Sequence, residues 1–278
     1  MAWITEYRGA GAGQLKAFLD SIITNYGQEG GYGWSIADAE AGDNIGVYKC
    51  QPDDASSFVL VVKDNQADYA TIEYWEGWDA VAHAGTGLSM TYGVSANYTL
   101  RVRKITGIFA AAINKGRIVL CMLAAGLGYY LGYPKRFDES RNTPLFIGGN
   151  SYASGTAYSQ CPLCSADGAA ANNSIDWRWF KDSVGNVNKQ AASWGAWLSS
   201  ISYYGRWEVW TTTGKMCIQE TMVQEGDSPY KLIGVLDGVM GCAKSPSGRA
   251  NGDTIIVGDD VWLVLVGANN TTAFVKEA

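Results

Sequence analysis

Short runs of strand-forming residues, separated by glycine-containing turns, constrain the fold of this 278-residue chain more than any other feature. These runs are apolar or alternate between apolar and polar residues, and they recur at 45–50, 57–63, 69–75, 97–104, 109–113, 117–123, 129–133, 206–212, 215–222, 254–257, 261–266 and 273–276. Runs of this length and alternation are typical of β-strands. The sequence therefore predicts a mainly β protein of the α+β class, with antiparallel sheets in a sandwich-like arrangement.

One segment near the N-terminus has the periodicity of a helix instead. Its large apolar residues recur at the i, i+3, i+4 and i+7 positions, and they are Leu15, Phe18, Leu19, Ile22, Ile23 and Tyr26. This spacing predicts an amphipathic helix over residues 14–26, which Gly27 ends. We interpret the glycine-, alanine- and aspartate-rich residues that follow, up to Asp43, as a loop.

The length is sufficient for a large hydrophobic core, and we predict one structural domain over residues 1–278. Its parts are a helix and loop at 1–44, a β region at 45–133, a long arm or loop at 134–204, and a C-terminal β meander at 205–278. The 134–204 segment holds three of the six prolines together with many aromatic residues. Because that aromatic density argues against disorder, we expect an arm that packs on another surface.

Charge and composition exclude several classes of function. The net charge is −6 and the longest basic run, Arg101–Lys104, is short, so no footprint for nucleic acid is visible. The first residues lack the basic and apolar regions of a signal peptide. The apolar stretch 105–131 contains Lys115 and Arg117 at its middle, which favours two buried strands and a turn over a membrane span.

Aromatic residues are abundant: 11 tryptophans and 16 tyrosines accompany a charged fraction of only 17% and a single histidine. Large aromatic side chains with few charges are typical of the centres of protein interfaces. The candidate interface residues are Trp75, Trp78, Tyr133, Phe137, Trp177, Trp179, Trp194 and Trp197. A carbohydrate platform is an alternative, in which Trp75, Trp78, Trp177 and Trp179 stack on sugar rings; Trp177 and Trp179 would share one face of a strand.

The strongest catalytic candidate is the acidic group Glu73, Glu76 and Asp79 with His83. Paired carboxylates can carry out acid–base or glycosidic chemistry. This segment has the pattern of a strand, however, so Glu73 and Glu76 would point to opposite faces. We therefore expect a charged strand end and loop, and we expect no catalytic residues.

Cofactor and metal motifs are incomplete. The glycine-rich segments at 9–13 and 30–33 lack a preceding strand and the Lys-Ser/Thr ending of a phosphate-binding loop, so we expect no cofactor. Cys161 and Cys164 have the spacing of a zinc knuckle or a redox pair, but no second such pair exists. Free thiols are expected, with a disulfide or a metal site as alternatives.

The order of several short motifs resembles a known family. The N-terminal helix and first strands are followed by Ile72–Asp79, Tyr129–Phe137 and Pro144–Gly149, and the chain ends with Leu236–Gly241 and Gly252–Val264. In this order the chain is similar to a family of tailed-bacteriophage virion proteins encoded among tail and baseplate components. The resemblance implies a structural subunit that is arranged symmetrically in a particle, and it implies no catalytic residue.

These observations together predict a non-enzymatic virion subunit, made in the host cytoplasm, that contacts other virion proteins and forms a symmetric homo-oligomer. Its place could be the tail, the baseplate, the neck or a fibre. The alternatives are a carbohydrate-binding or receptor-binding module of the same particle, and a glycan hydrolase that uses Glu73, Glu76 or Asp79.

Overall fold

The computed structural model describes residues 4–27, 31–52, 57–89, 100–137, 146–149, 152–153, 156–157, 178–179, 219–225, 231–242, 248–266 and 272–276. Within these ranges there is one α-helix, α1 (Gln14–Ile22), which continues into a π-helical turn at Ile23–Gly27. The strands are β1 (Ile4–Arg8), β2 (Trp34–Asp38), β3 (Ile45–Cys50), β4 (Phe58–Lys63), β5 (Tyr69–Asp79), β6 (Ala84–Ser89), β7 (Leu100–Arg103), β8 (Gly107–Asn114), β9 (Arg117–Met122), β10 (Leu127–Gly132), β11 (Lys135–Arg136), β12 (Phe146–Gly149), β13 (Tyr152–Ala153), β14 (Thr156–Ala157), β15 (Arg178–Trp179), β16 (Gln219–Glu225), β17 (Lys231–Cys242), β18 (Thr254–Val257), β19 (Asp260–Val266) and β20 (Thr272–Lys276). The predicted fold class, mainly β with antiparallel sheets and an N-terminal amphipathic helix, is confirmed.

The strands form three large antiparallel sheets. The helix-covered sheet has the order β2–β3–β4–β5–β6, with β7 also paired to β5. The middle sheet has the order β1–β8–β9–β10–β12–β15, and the outer sheet has the order β11–β17–β20–β19–β18 with β16 paired to β17. In the described part of the chain, β1 and β18 are therefore edge strands.

The middle sheet lies between two other layers, as its burial shows. Every residue of β9 and β10 is buried, which requires cover on both faces. On one face, α1 and the helix-covered sheet share a single core with it, where the rings of Phe18 and Phe109 meet edge to face at 5.7 Å. On the other face, Arg117 of β9 forms an ion pair with Asp237 of β17 in the outer sheet.

A buried carboxylate fixes the helix on its sheet. Asp64 directly follows β4, and its Oδ2 atom accepts the backbone N–H groups of Leu15 and Lys16 at 2.7 and 3.0 Å. It thereby caps the helix N-terminus from a distant part of the chain. Its Oδ1 atom pairs with Lys104, and both side chains are fully buried. The Lys104 ammonium also donates to the carbonyl of Gly11 and, at 2.6 Å, to that of Gln66.

The interpretation of residues 28–44 as loop is wrong for Trp34–Asp38, which form β2. Five residues beside several glycines give too short a pattern to recognise, yet Trp34 is fully buried against Phe58, with ring centroids 5.5 Å apart. The strand β1 was also not predicted. The predicted strand 206–212 lies outside the described residues, and of the predicted strand 215–222 the described part belongs to β16.

The segment 134–204, predicted as an arm or loop, contains several short strands. The short strands β11, β12 and β15 lie within it and pair with the outer and middle sheets. Short runs of this kind escape sequence patterns because only a distant partner strand makes them extended. Two further short strands in this segment, β13 and β14, pair with each other. The residues Trp177, Trp194, Trp197, Cys161 and Cys164 lie outside the described residues.

Candidate interaction surfaces

A four-residue turn, residues 80–83, projects from the helix-covered sheet between β5 and β6. Its first three residues, Ala80 to Ala82, are exposed, and the Val81 side chain has 92% of its surface exposed. The Asp79 carboxylate accepts the backbone N–H groups of Val81 and Ala82 at 2.9 and 3.0 Å. The turn therefore presents an apolar tip on a backbone that is held in place.

A second contact ties the turn to β2, the strand at the opposite edge of the same sheet. The Nδ1 atom of His83 lies 2.7 Å from Oδ2 of Asp38, and the indole N–H of Trp78 donates to the same oxygen at 2.8 Å. His83 has a φ of 50°, in the left-handed region that side chains other than glycine rarely adopt. Such a conformation persists only where its surroundings hold it, and here the Asp38 carboxylate does so.

The charges of this pair support each other. Hydrogen bonds from His83 and then Trp78 lower the pKa of Asp38 below its ordinary value. The hydrogen bond to Asp38 raises the pKa of His83 above its ordinary value. The Asp38 side chain is only 3% exposed and that of His83 is 43% exposed, so the pair sits at the rim of the sheet with one partner open to solvent.

Trp75 and Trp78, two of the predicted interface residues, cover the outward face of the same sheet. They pack on a small cluster formed by Val47, Val59 and Val61. The backbone of Gly85 lies so close to the Trp75 ring that a Cβ atom there would overlap it. Both indoles are half-buried. The Trp75 ring already contacts the sheet, so a sugar would have to compete with the sheet for that ring.

The acidic group singled out in the sequence is divided among separate contacts. Glu73 accepts a hydrogen bond from Lys63 at 2.5 Å and one from the Trp75 indole at 3.4 Å. Asp79 holds the turn, and His83 pairs with Asp38. The segment is the strand end and turn that the sequence predicted. Glu73 is held apart from His83 by its own partners, whereas Asp79 and Asp38 of β2 both lie near the His83 ring.

The second surface is a groove at the open end of the interface between the middle and outer sheets, with a volume of about 800 Å³. Its walls are mainly apolar; the lining residues on which the argument depends are Thr5, Tyr7 and Ile108 from the middle sheet and Thr254, Val261 and Leu263 from the outer sheet. Tyr7 is 70% exposed and Ile108 is 45% exposed. Next to the groove, Ile256 and Val257 of the edge strand β18 are 75% and 41% exposed.

The edge strand β18 exposes mainly apolar side chains, whereas the edge strand β1 carries Glu6 and Arg8 beside Tyr7. Proteins commonly protect such edges with charged residues or proline, because a free edge can pair with another chain. β18 has the sequence Thr-Ile-Ile-Val, which contains neither. The groove and its rim therefore have the physical character of a contact surface.

The remaining predicted interface residues are distributed differently. Phe137 is 55% exposed, whereas Tyr133 packs against the main core and its ring meets Phe58 at 5.5 Å. Trp179 lies in β15. Many other aromatic residues are sealed in the core, and these are Trp34, Tyr48, Tyr74, Tyr129, Tyr130 and Trp262. In the described part of the chain, many of the aromatic residues therefore stabilise the core, and only some of them are exposed.

Sequence reasoning missed the residues that make both surfaces. Tyr7, Ile108 and Ile256 lie in or beside ordinary strand patterns, and only the tertiary structure shows that they are uncovered. Val81 could have been found, because it lies in a turn without the glycine, proline or asparagine that turns favour.

No protein-family model matches this chain, and no curated protein matches it in sequence. Among the residues described, no three histidine, cysteine, aspartate or glutamate side chains are grouped closely enough to hold a metal ion. Cys50 and Cys121 are buried free thiols, and burial raises the pKa of Cys50 to about 12. None of the described helical segments has the length and apolar character needed to cross a membrane.

Proposed function

We propose that this chain is a non-enzymatic structural subunit of a tailed-bacteriophage virion, which assembles into a symmetric oligomer through its exposed apolar surfaces. The groove is the observation that carries this proposal. Four large apolar side chains, Tyr7, Ile108, Ile256 and Val257, are exposed at or beside it. A concentrated apolar surface of this kind marks a contact site more often than a free surface.

Two further observations support an assembling protein. The motif order resembles that of virion proteins from tail and baseplate regions, and the net charge of −6 offers no attraction for nucleic acid. The polar residues that could suggest an enzyme are used to hold the fold: Glu73 pairs with Lys63, Asp79 holds a turn and Asp38 pairs with His83.

Two measurements test the proposal. Mass photometry and sedimentation of the purified protein, from nanomolar to micromolar concentration, should show a discrete oligomer. Quantitative mass spectrometry of purified phage particles from a host that carries the gene should find the chain in a fixed ratio to other virion proteins. A protein that stays monomeric at every concentration and is absent from particles would contradict the proposal.

A further inference from the structure

We propose that the edge strand β1 pairs with β1 of a second copy across a two-fold axis, so that the two middle sheets become one continuous sheet. This inference rests on the proposed function, because it names the contact through which two copies assemble. The partner of the free edge is an identical strand that runs antiparallel, with Tyr7 of one copy opposite Tyr7 of the other at the axis.

The backbone of β1 offers hydrogen-bonding groups to a further strand. Strands β8 and β9 are joined by the two-residue loop Lys115–Gly116, so Asn114 and Arg117 form the closing hydrogen-bonded pair. Because such pairs alternate along an antiparallel strand, every second residue of β8 from Asn114 bonds to β9 and the others bond to β1. In the register of β1 on β8, the N–H and C=O groups of Thr5 and Tyr7 are therefore directed to the open edge.

The side chains of the same two residues are also uncovered. Tyr7 is 70% exposed and Thr5 is exposed as well. In the described part of the chain the middle sheet ends at β1, so no neighbouring strand uses these backbone groups. A free edge of this kind is a template for pairing with another strand.

The charge pattern of β1 is complementary to itself when the strand is reversed. Glu6 and Arg8 lie on the face opposite to Tyr7, and within one copy they form an ion pair at 2.8 Å. Antiparallel pairing centred on Tyr7 places Glu6 of each copy opposite Arg8 of the other. The neighbouring registers, centred on Glu6 or on Arg8, would place like charges directly opposite each other. Opposite charges stabilise a strand pair and like charges destabilise it, so this pattern selects an identical partner in one register.

The other edge strand at the groove, β18, lacks this complementarity. Asp253 precedes it and Asp259 follows it, so antiparallel pairing of two copies would bring these carboxylates together. Its four residues carry no charge, and an uncharged strand specifies its register weakly. We therefore place the backbone contact at β1.

Pairing at β1 would also cover the groove. Thr5 and Tyr7 line the groove together with residues of β18, so it opens at the edge where the second copy arrives. A strand of five residues alone buries less than the roughly 800 Å² per partner of a stable interface. We expect the exposed apolar residues Ile108, Ile256 and Val257 to supply further area to the same contact.

Charge reversal in two separate variants tests this arrangement. Glu6→Arg makes both charged positions of β1 positive and Arg8→Glu makes both negative, so each variant meets like charges across the axis. Each alone should associate about 10-fold more weakly than the unmodified protein in sedimentation velocity. An equimolar mixture should recover the affinity as a heterodimer in native mass spectrometry, because each arginine then faces a glutamate. Lys115→Glu, at an exposed turn, is the matched control for the change in net charge and should associate normally.

Mixing also separates the contact between copies from the ion pair within one copy. Both variants lose the internal pair between residues 6 and 8, and mixing cannot restore it. A recovery of affinity in the mixture therefore reports only the contact across the axis.

A second pair of variants tests the backbone contact. Proline is tolerated in an edge strand where its nitrogen faces outward, so Tyr7→Pro should fold while it removes the N–H group at the axis. Tyr7→Thr loses the same ring but keeps that N–H group. Tyr7→Pro should therefore abolish association, whereas Tyr7→Thr should retain it. Equal association of the two variants, with circular dichroism spectra that match the unmodified protein, would contradict strand pairing.

The outcomes separate this inference from the proposed function. If the unmodified protein assembles but the mixture associates no better than either variant alone, the β1 contact is wrong while the virion function stands. The same holds if Glu6→Arg and Arg8→Glu each associate as well as the unmodified protein. If the mixture recovers but purified particles lack the protein, the contact stands and the virion function is wrong. An unmodified protein that stays monomeric at micromolar concentration contradicts both.

Discussion

Two carboxylates, Asp64 and Asp38, each join separate parts of the chain, but their surroundings differ. Asp64 is fully buried; it caps α1 and pairs with Lys104, whose side chain is also fully buried. Asp38 is nearly as buried, but its partner His83 is 43% exposed and belongs to a projecting turn. The first centre joins the helix to its sheet in the interior, and the second fixes a surface element that faces solvent.

The difference shows that one carboxylate can stabilise the fold while another holds an exposed surface element in place. A buried ion pair is costly to disrupt, because the remaining charge loses both its partner and its water. The second centre, Asp38 with His83, lies at the rim of the sheet; this rim centre holds the turn, the Trp78 indole and the backbone N–H of Glu40. Changing it should therefore alter the surface more than the fold. If this division is correct, substitutions at the two centres will have different effects on stability and on assembly.

The largest effect is expected for Lys104→Met. This substitution leaves the Asp64 carboxylate buried without its ammonium partner, and we expect the free energy of unfolding to fall by about 3–5 kcal/mol. Urea denaturation followed by circular dichroism measures this change. The matched control is the double variant Asp64→Asn with Lys104→Met, in which no charge is buried and the amide oxygen can still cap α1. Its loss should be smaller, and a double variant that is less stable than the single one would show that the pair itself is not the cause.

The next effect concerns the packing beside the rim centre. Gly85→Ala would place a methyl group into the Trp75 ring, and overpacking of this kind typically costs about 1–3 kcal/mol. Thermal unfolding measures the loss. Gly9→Ala, where nothing lies within 4 Å of the added atom, is the control and should be close to neutral. Equal stability of the two variants would mean that the indole moves freely, and the sheet would then not support the turn as described.

Asp38→Asn should have a smaller effect on stability and a distinct effect on the turn. The amide can still accept the Trp78 hydrogen bond, but it loses the charge that holds His83. We expect a smaller fall in Tm than for Lys104→Met, together with faster amide hydrogen exchange in peptides that cover residues 79–85. Glu40→Gln removes a nearby charge without removing a hydrogen bond, and it should leave exchange unchanged. Unaltered hydrogen exchange in Asp38→Asn would show that Asp38 does not hold the turn.

The smallest effect is a dependence on pH. The pKa of His83 is raised, so its contribution to stability is fully present below its ordinary pKa of 6.5 and is lost as pH rises through the higher folded value. The pKa of Asp38 is lowered, so its contribution is present above 3.8 and is lost as pH falls through the lower folded value. The rim centre should therefore hold the turn best between these two ordinary values.

Because His83 is the only histidine, an NMR titration of its ring reports this centre without ambiguity. The unmodified protein should titrate above 6.5, and Asp38→Asn should titrate at a lower pH than the unmodified protein. Identical titration curves for the two proteins would contradict the ion pair.

Sequence patterns predicted the fold class and several strand positions, because those features depend on local periodicity. The strand at Ile45–Cys50 and the C-terminal strands at 254–276 were found within one residue of their ends. Gly77 and Gly85 are residues typical of turns, yet they lie in β5 and β6, and at Gly85 the Trp75 ring occupies the space of a side chain. Asp64 as the cap of α1 could not be predicted, since 49 residues separate it from Leu15. The groove was equally hidden, because exposure of Tyr7 and Ile108 depends on which strands lie beside them.

The most direct measurement is a cryo-electron microscopy reconstruction of the assembled oligomer. We predict that the groove of each copy and its rim residues Ile256 and Val257 are covered by a neighbouring copy. A reconstruction in which Tyr7, Ile108 and Ile256 face solvent in every copy, with the subunits joined elsewhere, would contradict this account.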